Sequence, residues 1–324
     1  MQCLGVAHPV RLFGVKYSIG LAALLLLGCG DASSGSGGSA SGTGGQGGST
    51  ASSTGGQGGI ALTSSSSGGG EGAAGGGVEL SDVHLVGRYD VEATAPRATW
   101  SGASALATMM GPSAAVRLSA PAGLWFEIVI DGQSIGRFET SAGEVTYPLA
   151  DALSRGPHTV EISRRNEGFF GIHEFLGFEP ASAIVPSPSP YNVQLEFIGD
   201  SLTCGYGIEG ASASCSFSGA TESAYSSYAL VAARELSAAA HLICYSGKGV
   251  HQNYGGNTEE MMPELYPRTL TDSATPVWAP EQFAAQVVVI NLGTNDFSAA
   301  LNESAFVEDY VALLSAARTR HPQA

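Results

Sequence analysis

Three short polar segments each follow an apolar run, and their side chains could carry out acyl transfer. Asp200-Ser201 follows "LEFIG", Ser246–Gly249 follows "HLICY", and Gly293–Asp296 follows "VVVINL". A serine hydroxyl is a weak nucleophile until a neighbouring base accepts its proton. The oxyanion formed by its attack needs hydrogen-bond donors that are already in place. We therefore predict Ser201 as a nucleophile and expect the other two segments to supply donors.

Three N–H groups are candidate donors to such an oxyanion. They are the backbone amides of Ser201 and Gly247 and the side-chain amide of Asn295. A glycine allows the backbone to approach a ligand closely, which favours the second of these. Gly249 is an alternative to Gly247 in the same role.

Other polar residues of these segments have supporting roles. Asp200 and Asp296 are predicted to shape turns and hold loops by hydrogen bonds rather than to act as acids. Asn253 and Tyr254 follow the Gly247 segment and are predicted to contact the substrate. Packing would explain these two residues equally well.

A base for Ser201 is harder to find. His321 follows the last helical segment, and His241 opens an apolar run instead of closing it. His251 is near Gly247 and is the nearest substitute. The remaining candidates lie in the first folded region: His84, His158 and His173. We identify no catalytic histidine.

Apolar periodicity predicts the elements that position these residues. Strands are expected at "NVQLEFIG", "AHLICYS" and "AAQVVVINLG". Helices are expected at "TESAYSSYALVAARELSA", starting at 221–223, and at "ESAFVEDYVALLSAARTR". Alternating strands and helices predict an α/β/α three-layer domain over residues 191–324. Ligands bind at the carboxyl ends of such strands, so the three polar segments should meet in one crevice.

The region from 78 to 182 has a different pattern. "AAVRLSA", "LWFEIVIDG" and "HTVEISRR" are strand-like, and Asp131-Gly132 is a hairpin turn signal. These features predict an all-β sandwich. Trp100 is interpreted as a core or inter-domain packing residue, with a sugar-stacking platform as the alternative. Three spaced prolines predict a stiff connector over 183–190.

The first 77 residues are not predicted to fold. A basic start and the apolar run "YSIGLAALLLLG" indicate a signal peptide over residues 1–29. "LLGC" resembles the lipobox of bacterial lipoproteins, which predicts lipidation of Cys29; an ordinary signal peptide is the alternative. Residues 30–77 are a Gly/Ser linker in which "TGGQGG" occurs twice. An exported lipoprotein of the outer membrane or cell surface is expected.

Three further cysteines follow in a chain expected to meet an oxidising compartment. Cys204 and Cys215 are close in sequence and flank a loop, so we predict a disulfide between them. Cys244 lies in an apolar run and is predicted as a buried thiol. No zinc-ligand spacing occurs, and no metal is expected.

Charge limits the partners. The formal net charge is −15, whereas nucleic-acid binding requires clustered Lys and Arg. A neutral ligand such as a sugar suits a chain in which only 13% of residues are charged.

"FIGDSLTCGYG", "YSGKGVHQNYGG" and "VVVINLGTNDF" resemble the conserved blocks of the GDSL/SGNH esterases. With "TWSGAS", "IVIDG" and "FLGFE" upstream, the chain is most similar to carbohydrate esterase family 2. The resemblance implies a jelly-roll sandwich ahead of an SGNH-hydrolase domain. It implies that Ser201 is the nucleophile and that Gly247 and Asn295 form the oxyanion hole. It also implies removal of acetyl groups from xylan or glucomannan without a cofactor.

The resemblance also raises a difficulty. Family members carry their catalytic histidine in a block beyond "GTND", and the sequence ends at "RTRHPQA". We therefore expect an incomplete copy of the hydrolase domain with weak or no hydrolysis. The alternative function is a non-catalytic or degenerate carbohydrate-binding lipoprotein. A lipase or peptidase on the same scaffold is a third interpretation.

Overall fold

The computed structural model describes residues 82–180 and 183–324. The predicted signal peptide, the linker and Cys29 lie outside these residues. The strands are β1 (Val83–Val86), β2 (Arg97–Ala98), β3 (Ser104–Met110), β4 (Ala114–Ala120), β5 (Trp125–Ile130), β6 (Gln133–Glu139), β7 (Gly143–Ala150), β8 (Pro157–Arg164), β9 (His173–Pro180), β10 (Ala183–Val185), β11 (Val193–Gly199), β12 (Ala238–Cys244), β13 (Arg268–Leu270), β14 (Ser273–Val277) and β15 (Val287–Asn291). The helices are α1 (Ser201–Cys204), α2 (Tyr228–Glu235), α3 (Met262–Leu265) and α4 (Glu303–Arg320).

The first ten strands form an antiparallel sandwich. One sheet has the order β1-β3-β8-β5-β6, with β10 also paired to β3, and the other has the order β2-β9-β4-β7. Strand β4 shows why they pack, because every second residue of it is buried. Asp131 and Gly132 form the two-residue turn between β5 and β6 with φ of 51° and 77°. The predicted hairpin and the all-β sandwich are both confirmed.

The second domain has a parallel sheet of the order β12-β11-β15. Gly199 at the end of β11 pairs with Cys244 on one side and Asn291 on the other. The three strands therefore end level with one another. One face packs against α2 through residues such as Phe197 and Leu242. The other packs against α3 and α4 through Ile198 and Ile243, so the three-layer α/β/α prediction is confirmed.

Two local boundaries differ from the sequence-based expectations. Helix α2 begins at Tyr228, seven residues after Thr221, and one short 3-10 turn, Ala224–Ser226, lies in the interval. Ser223 accounts for this turn, because its hydroxyl accepts the Ser226 N–H at 3.2 Å and so caps the 3-10 segment instead of a longer helix. Within the expected connector, Ala183–Val185 pairs with β3 and so belongs to the first sheet.

The predicted disulfide is wrong. Cys204 pairs with Cys244, with the two Cα atoms 5.6 Å apart, and Cys215 is a free, exposed thiol. Cys204 lies in α1 directly after β11, and Cys244 ends the neighbouring strand β12. The pairing between parallel strands brings them together although 40 residues separate them in sequence.

The two domains share buried contacts. Trp100 of the sandwich is 1% exposed and packs with Ile198 and Ile243 of the parallel sheet, which supports the packing interpretation over a sugar platform. Arg88 forms a buried ion pair with Glu196 in β11 at 3.2 Å. Among the described helices, none is long and apolar enough to cross a membrane.

Candidate active site

Ser201 is the first residue of α1. Strand β11 ends at Gly199, and Asp200 caps the helix by accepting the Leu202 N–H at 3.0 Å. The helix stops after one turn at Gly205, which has φ of 78°; a Cβ there would lie 2.2 Å from the Ser223 carbonyl oxygen. This short helix leaves Ser201 half-buried, and its hydroxyl forms no hydrogen bond with another described residue.

Gly247 lies in the loop after β12. Its φ of 78° favours glycine, and the space beside its Cα is open. The Tyr254 N–H donates to the Gly247 carbonyl oxygen at 2.8 Å, but the N–H of Gly247 has no acceptor among the described residues. The N–H of Gly249, the alternative, already donates to Asn253 Oδ1 at 3.1 Å.

Asn295 joins the three strand-end segments. Its Nδ2 donates to the Lys248 carbonyl oxygen at 2.8 Å and lies 3.4 Å from Asp200 Oδ2. The Tyr245 N–H also donates to the Gly199 carbonyl oxygen at 3.2 Å. These contacts place Asn295 beside both the Asp200-Ser201 segment and the Gly247 loop. The contact to Asp200 is long, so one amide hydrogen is held only weakly by the protein.

The Asp296 side chain fixes the Gly247 loop by hydrogen bonds. It is fully buried and accepts the backbone N–H groups of Val250, His251 and Gln252 at 2.7–3.0 Å. A Cβ on Gly249 would lie 2.6 Å from its Oδ2, so the loop fits closely over this carboxylate. Its place in the structure is that of a loop anchor.

Asp200 is also a structural carboxyl. Burial raises the pKa of Asp200, with a further contribution from the charge of Asp296, while the Leu202 N–H opposes the rise. Asp200 is 1% exposed, and its carboxyl accepts hydrogen bonds from the Leu202 N–H and, at longer distance, from Asn295 Nδ2. Its geometry suits orientation of the serine turn.

None of the six histidines in residues 82–324 makes a hydrogen bond to Ser201. His251 binds Asp309 at 2.6 Å through Nδ1, and His321 binds Glu196 at 3.1 Å through Nε2. His241 is buried against Phe283, and burial lowers its pKa to about 3. The three in the sandwich have other partners: His84 with Ser187, His158 with Asp131, and His173 with Arg164.

A groove of about 840 Å³ begins at Gly247. Tyr254 lines it and is 68% exposed, so it is free to contact a ligand. Asn253 also lines the groove, but it is buried and its amide donates to the Glu259 carbonyl oxygen at 2.7 Å. The structure therefore places Asn253 as a loop support with little free surface.

Tyr206, which the sequence offers as a sugar-subsite or a packing residue, belongs to an aromatic cluster whose members Phe169 and Phe217 sequence reasoning missed. Tyr206, directly after α1, stacks on Phe217 with ring centroids 3.9 Å apart. Phe169 of the sandwich contacts Phe217 and also Tyr245, which precedes the Gly247 loop. Tyr206 and Phe169 are about half exposed. The aromatic pair in "EGFFG" is a weak sequence signal for Phe169, because it lies more than 30 residues before Ser201.

The fold of residues 191–324 is that of the GDSL/SGNH hydrolase family. Residues 197–324 match the model of the GDSL-like Lipase/Acylhydrolase family. Residues 85–190 match the model described as Carbohydrate esterase 2 N-terminal. The family two carbohydrate esterase from Clostridium thermocellum, solved in complex with cellohexaose, has 37% identity and a TM-score of 0.72, and the match covers 75% of each chain. The chain belongs to carbohydrate esterase family 2.

Two similar proteins are named as esterases. The chain is 38% identical over 241 residues to the "Cellulase/esterase CelE" of Acetivibrio thermocellus, covering 74% of this chain. It is 34% identical over 181 residues to an "Acetylxylan esterase / glucomannan deacetylase" of Cellvibrio japonicus, covering 52% of this chain. The chain spans 30% of the length of the first relative and 50% of the second.

Proposed function

We propose that this protein removes O-acetyl groups from a plant-wall polysaccharide of the xylan or glucomannan type. The observation that carries the proposal is the meeting of Ser201, Gly247 and Asn295 at the carboxyl edge of one parallel sheet. Ser201 would attack the acetyl carbonyl and form an acyl-enzyme. The N–H groups of Ser201, Gly247 and Asn295 would bind the oxyanion. The substrate class comes from the relatives that are named as acetylxylan esterases and glucomannan deacetylases.

The exposed aromatic rings support a carbohydrate substrate. Tyr206 follows the Ser201 helix, and Phe169 and Tyr254 lie near the Gly247 loop; all three present flat apolar surfaces against which a pyranose ring can pack. A neutral polymer also avoids the repulsion that an acidic protein would exert on an anionic one.

The test is acetate release from acetylated xylan and glucomannan, together with p-nitrophenyl acetate as a simple ester. Ser201→Ala should abolish hydrolysis, because no other described group is placed to form the acyl-enzyme. Ser315→Ala, on the exposed side of α4, is the matched control and should leave the rate unchanged. An S201A variant that hydrolyses as fast as the unaltered chain would refute the proposal.

One observation favours a second candidate, carbohydrate binding without hydrolysis. Among the described histidines, none contacts Ser201, and a serine that loses its base loses most of its rate. Titration calorimetry with cellohexaose and xylohexaose separates the two functions, since binding without acetate release supports this candidate. Added imidazole supplies a free base: a rate that rises with imidazole in the unaltered chain, but not in S201A, shows a working nucleophile without its partner.

We further propose that the protein is exported and anchored in the bacterial envelope through lipid on Cys29. The support is the sequence "LLGC" after an apolar run, followed by a Gly/Ser linker. Labelling with a radioactive fatty acid during expression should mark the unaltered chain and leave Cys29→Ser unlabelled. Equal labelling of both chains would contradict the proposal.

A further inference from the structure

The sandwich domain reaches the Gly247 loop through one carboxyl group. Glu167 lies three residues after β8 and is fully buried. Its Oε2 accepts the Ser246 N–H at 2.5 Å, and its Oε1 accepts the Ser246 hydroxyl. Ser246 directly precedes Gly247, and the peptide between them carries the N–H proposed to bind the oxyanion.

A second buried carboxyl lies against the first. Glu222, from the turns before α2, accepts the Glu167 N–H at 3.3 Å and Asn166 Nδ2 at 3.0 Å through its Oε2. Its Oε1 is buried without a partner among the described residues. Two adjacent carboxylates repel each other strongly when both are charged, so the pair is stable when it shares a proton.

The surroundings favour the protonated pair. Burial raises the pKa of Glu167 well above its ordinary value, and the neighbouring Glu222 raises it further. The charged and titratable groups that face the pair are Arg164, which acts on Glu222, and the phenols of Tyr206 and Tyr245. The guanidinium of Arg164 is itself buried and donates to the Glu167 carbonyl oxygen at 2.7 Å.

We propose that Glu167 is a positioning residue that fixes the Ser246-Gly247 peptide, so that the sandwich domain completes the oxyanion hole of its neighbour. This inference rests on the proposed esterase function. A left-handed φ at Gly247 leaves the direction of its N–H open to change unless the preceding residue is held. Two hydrogen bonds to one carboxyl hold both the backbone and the side chain of that residue. Small misplacements of an oxyanion donor reduce the rate greatly.

The first experiment measures kcat and KM for p-nitrophenyl acetate in Glu167→Gln, with imidazole present. The amide can accept only one of the two Ser246 hydrogens and turns its NH₂ toward the other donor. We expect kcat to fall roughly 10- to 100-fold while KM changes by less than about twofold. Glu209→Gln is the matched control: it removes ion pairs with Arg137 and Arg165 across the same interface without contacting the loop. It should lower the melting temperature and leave kcat unchanged.

The pH profile separates positioning from general stability. In the unaltered chain, kcat should fall at alkaline pH as the pair loses its shared proton and the carboxylates repel. Glu222→Gln removes that repulsion, while an ionised Glu167 still accepts both hydrogens, so the alkaline fall should disappear. If E167Q and E209Q reduce kcat equally, or if E222Q keeps the alkaline fall, the proposal is overturned.

Amide hydrogen exchange gives a readout that does not depend on catalysis. Exchange of the segment 245–249 should rise in E167Q and in Ser246→Ala, and should stay unchanged in E209Q. If the unaltered chain hydrolyses no ester, the proposed function fails, and the exchange data alone decide whether Glu167 holds the loop. Unchanged exchange in both E167Q and S246A overturns the inference whatever the activity.

Discussion

At the scale of single residues, the proposed chemistry depends on donors more than on acids. Asp200 and Asp296 are buried, and their carboxylates already accept hydrogen bonds from backbone N–H groups. The donors left over are the Ser201 and Gly247 amides, together with one hydrogen of Asn295 that is held only by the long contact to Asp200, all on the same edge of the sheet. This distribution supports the proposal that the site binds an oxyanion.

Asn295→Ala tests the side-chain donor. Removal of one oxyanion donor costs about 10²- to 10³-fold in kcat in enzymes of this kind. We expect a loss of that size with little change in KM, measured with p-nitrophenyl acetate in the presence of imidazole. Asn302→Ala removes the cap of α4 instead and is the control. It should lower thermal stability without the loss in kcat; equal losses in both variants would count against a specific role for Asn295.

His241 makes stability depend on pH. Its folded pKa of about 3 lies below the ordinary value of 6.5. Between these values the unfolded chain binds a proton that the folded chain excludes, so stability should fall as pH drops through this range, by up to about 1.4 kcal/mol per pH unit. Chemical denaturation of His241→Phe between pH 7 and pH 5 should show a shallower slope, and Phe can keep the stacking on Phe283.

His158 serves as a control because its pKa is shifted in the opposite direction to that of His241. Its hydrogen bond to Asp131 raises its pKa, so it stabilises the fold below its unfolded pKa, and that contribution disappears as pH rises through the folded pKa. His158→Asn should therefore not flatten the acid slope. If H241F and the unaltered chain have identical slopes, His241 does not cause the acid sensitivity.

At the scale of secondary structure elements, the disulfide ties helix α1, which carries Ser201, to its sheet. Cys204 of α1 is joined to Cys244 at the end of β12, next to the Gly247 loop. Closing a loop of 40 residues is worth roughly 4 kcal/mol by the chain-entropy estimate. Cys244→Ser should lower the free energy of unfolding by about that amount in urea. Cys215→Ser removes a free, exposed thiol and should leave the free energy of unfolding unchanged. A larger loss in Cys215→Ser than in Cys244→Ser would contradict this pairing.

Elements could be predicted from sequence wherever the signal was local. The bounds of α4 coincide with the amphipathic segment 303–320, and the three strands of the parallel sheet lie where apolar runs were found. Pairings across the fold could not be predicted in the same way. Cys244 looked like a buried thiol because nothing in "HLICYS" shows which strand lies beside it. Glu167 gave no signal, because its partner Ser246 is 79 residues away in another domain.

At the scale of the whole molecule, the two domains are joined by a shared core. Trp100 and the Arg88–Glu196 ion pair are buried between them. We therefore expect one cooperative unfolding transition in calorimetry. Trp100→Ala should lower the stability of that single transition by about 3–5 kcal/mol. Trp125→Ala, at a half-buried site where Arg137 covers the ring, is the control and should cost less. Two separate transitions in the unaltered chain would show that the domains unfold independently.

The bond between Cys204 and Cys244 also limits how the protein can be produced for study. Chain made in the reducing bacterial cytosol would carry two thiols at this position, and the turn that presents Ser201 would then be attached to its sheet only by non-covalent contacts. Activity measured on such a preparation would be that of the protein without its disulfide. An assay that finds no activity is therefore informative only after the mass of the intact chain has shown that the two hydrogens were lost.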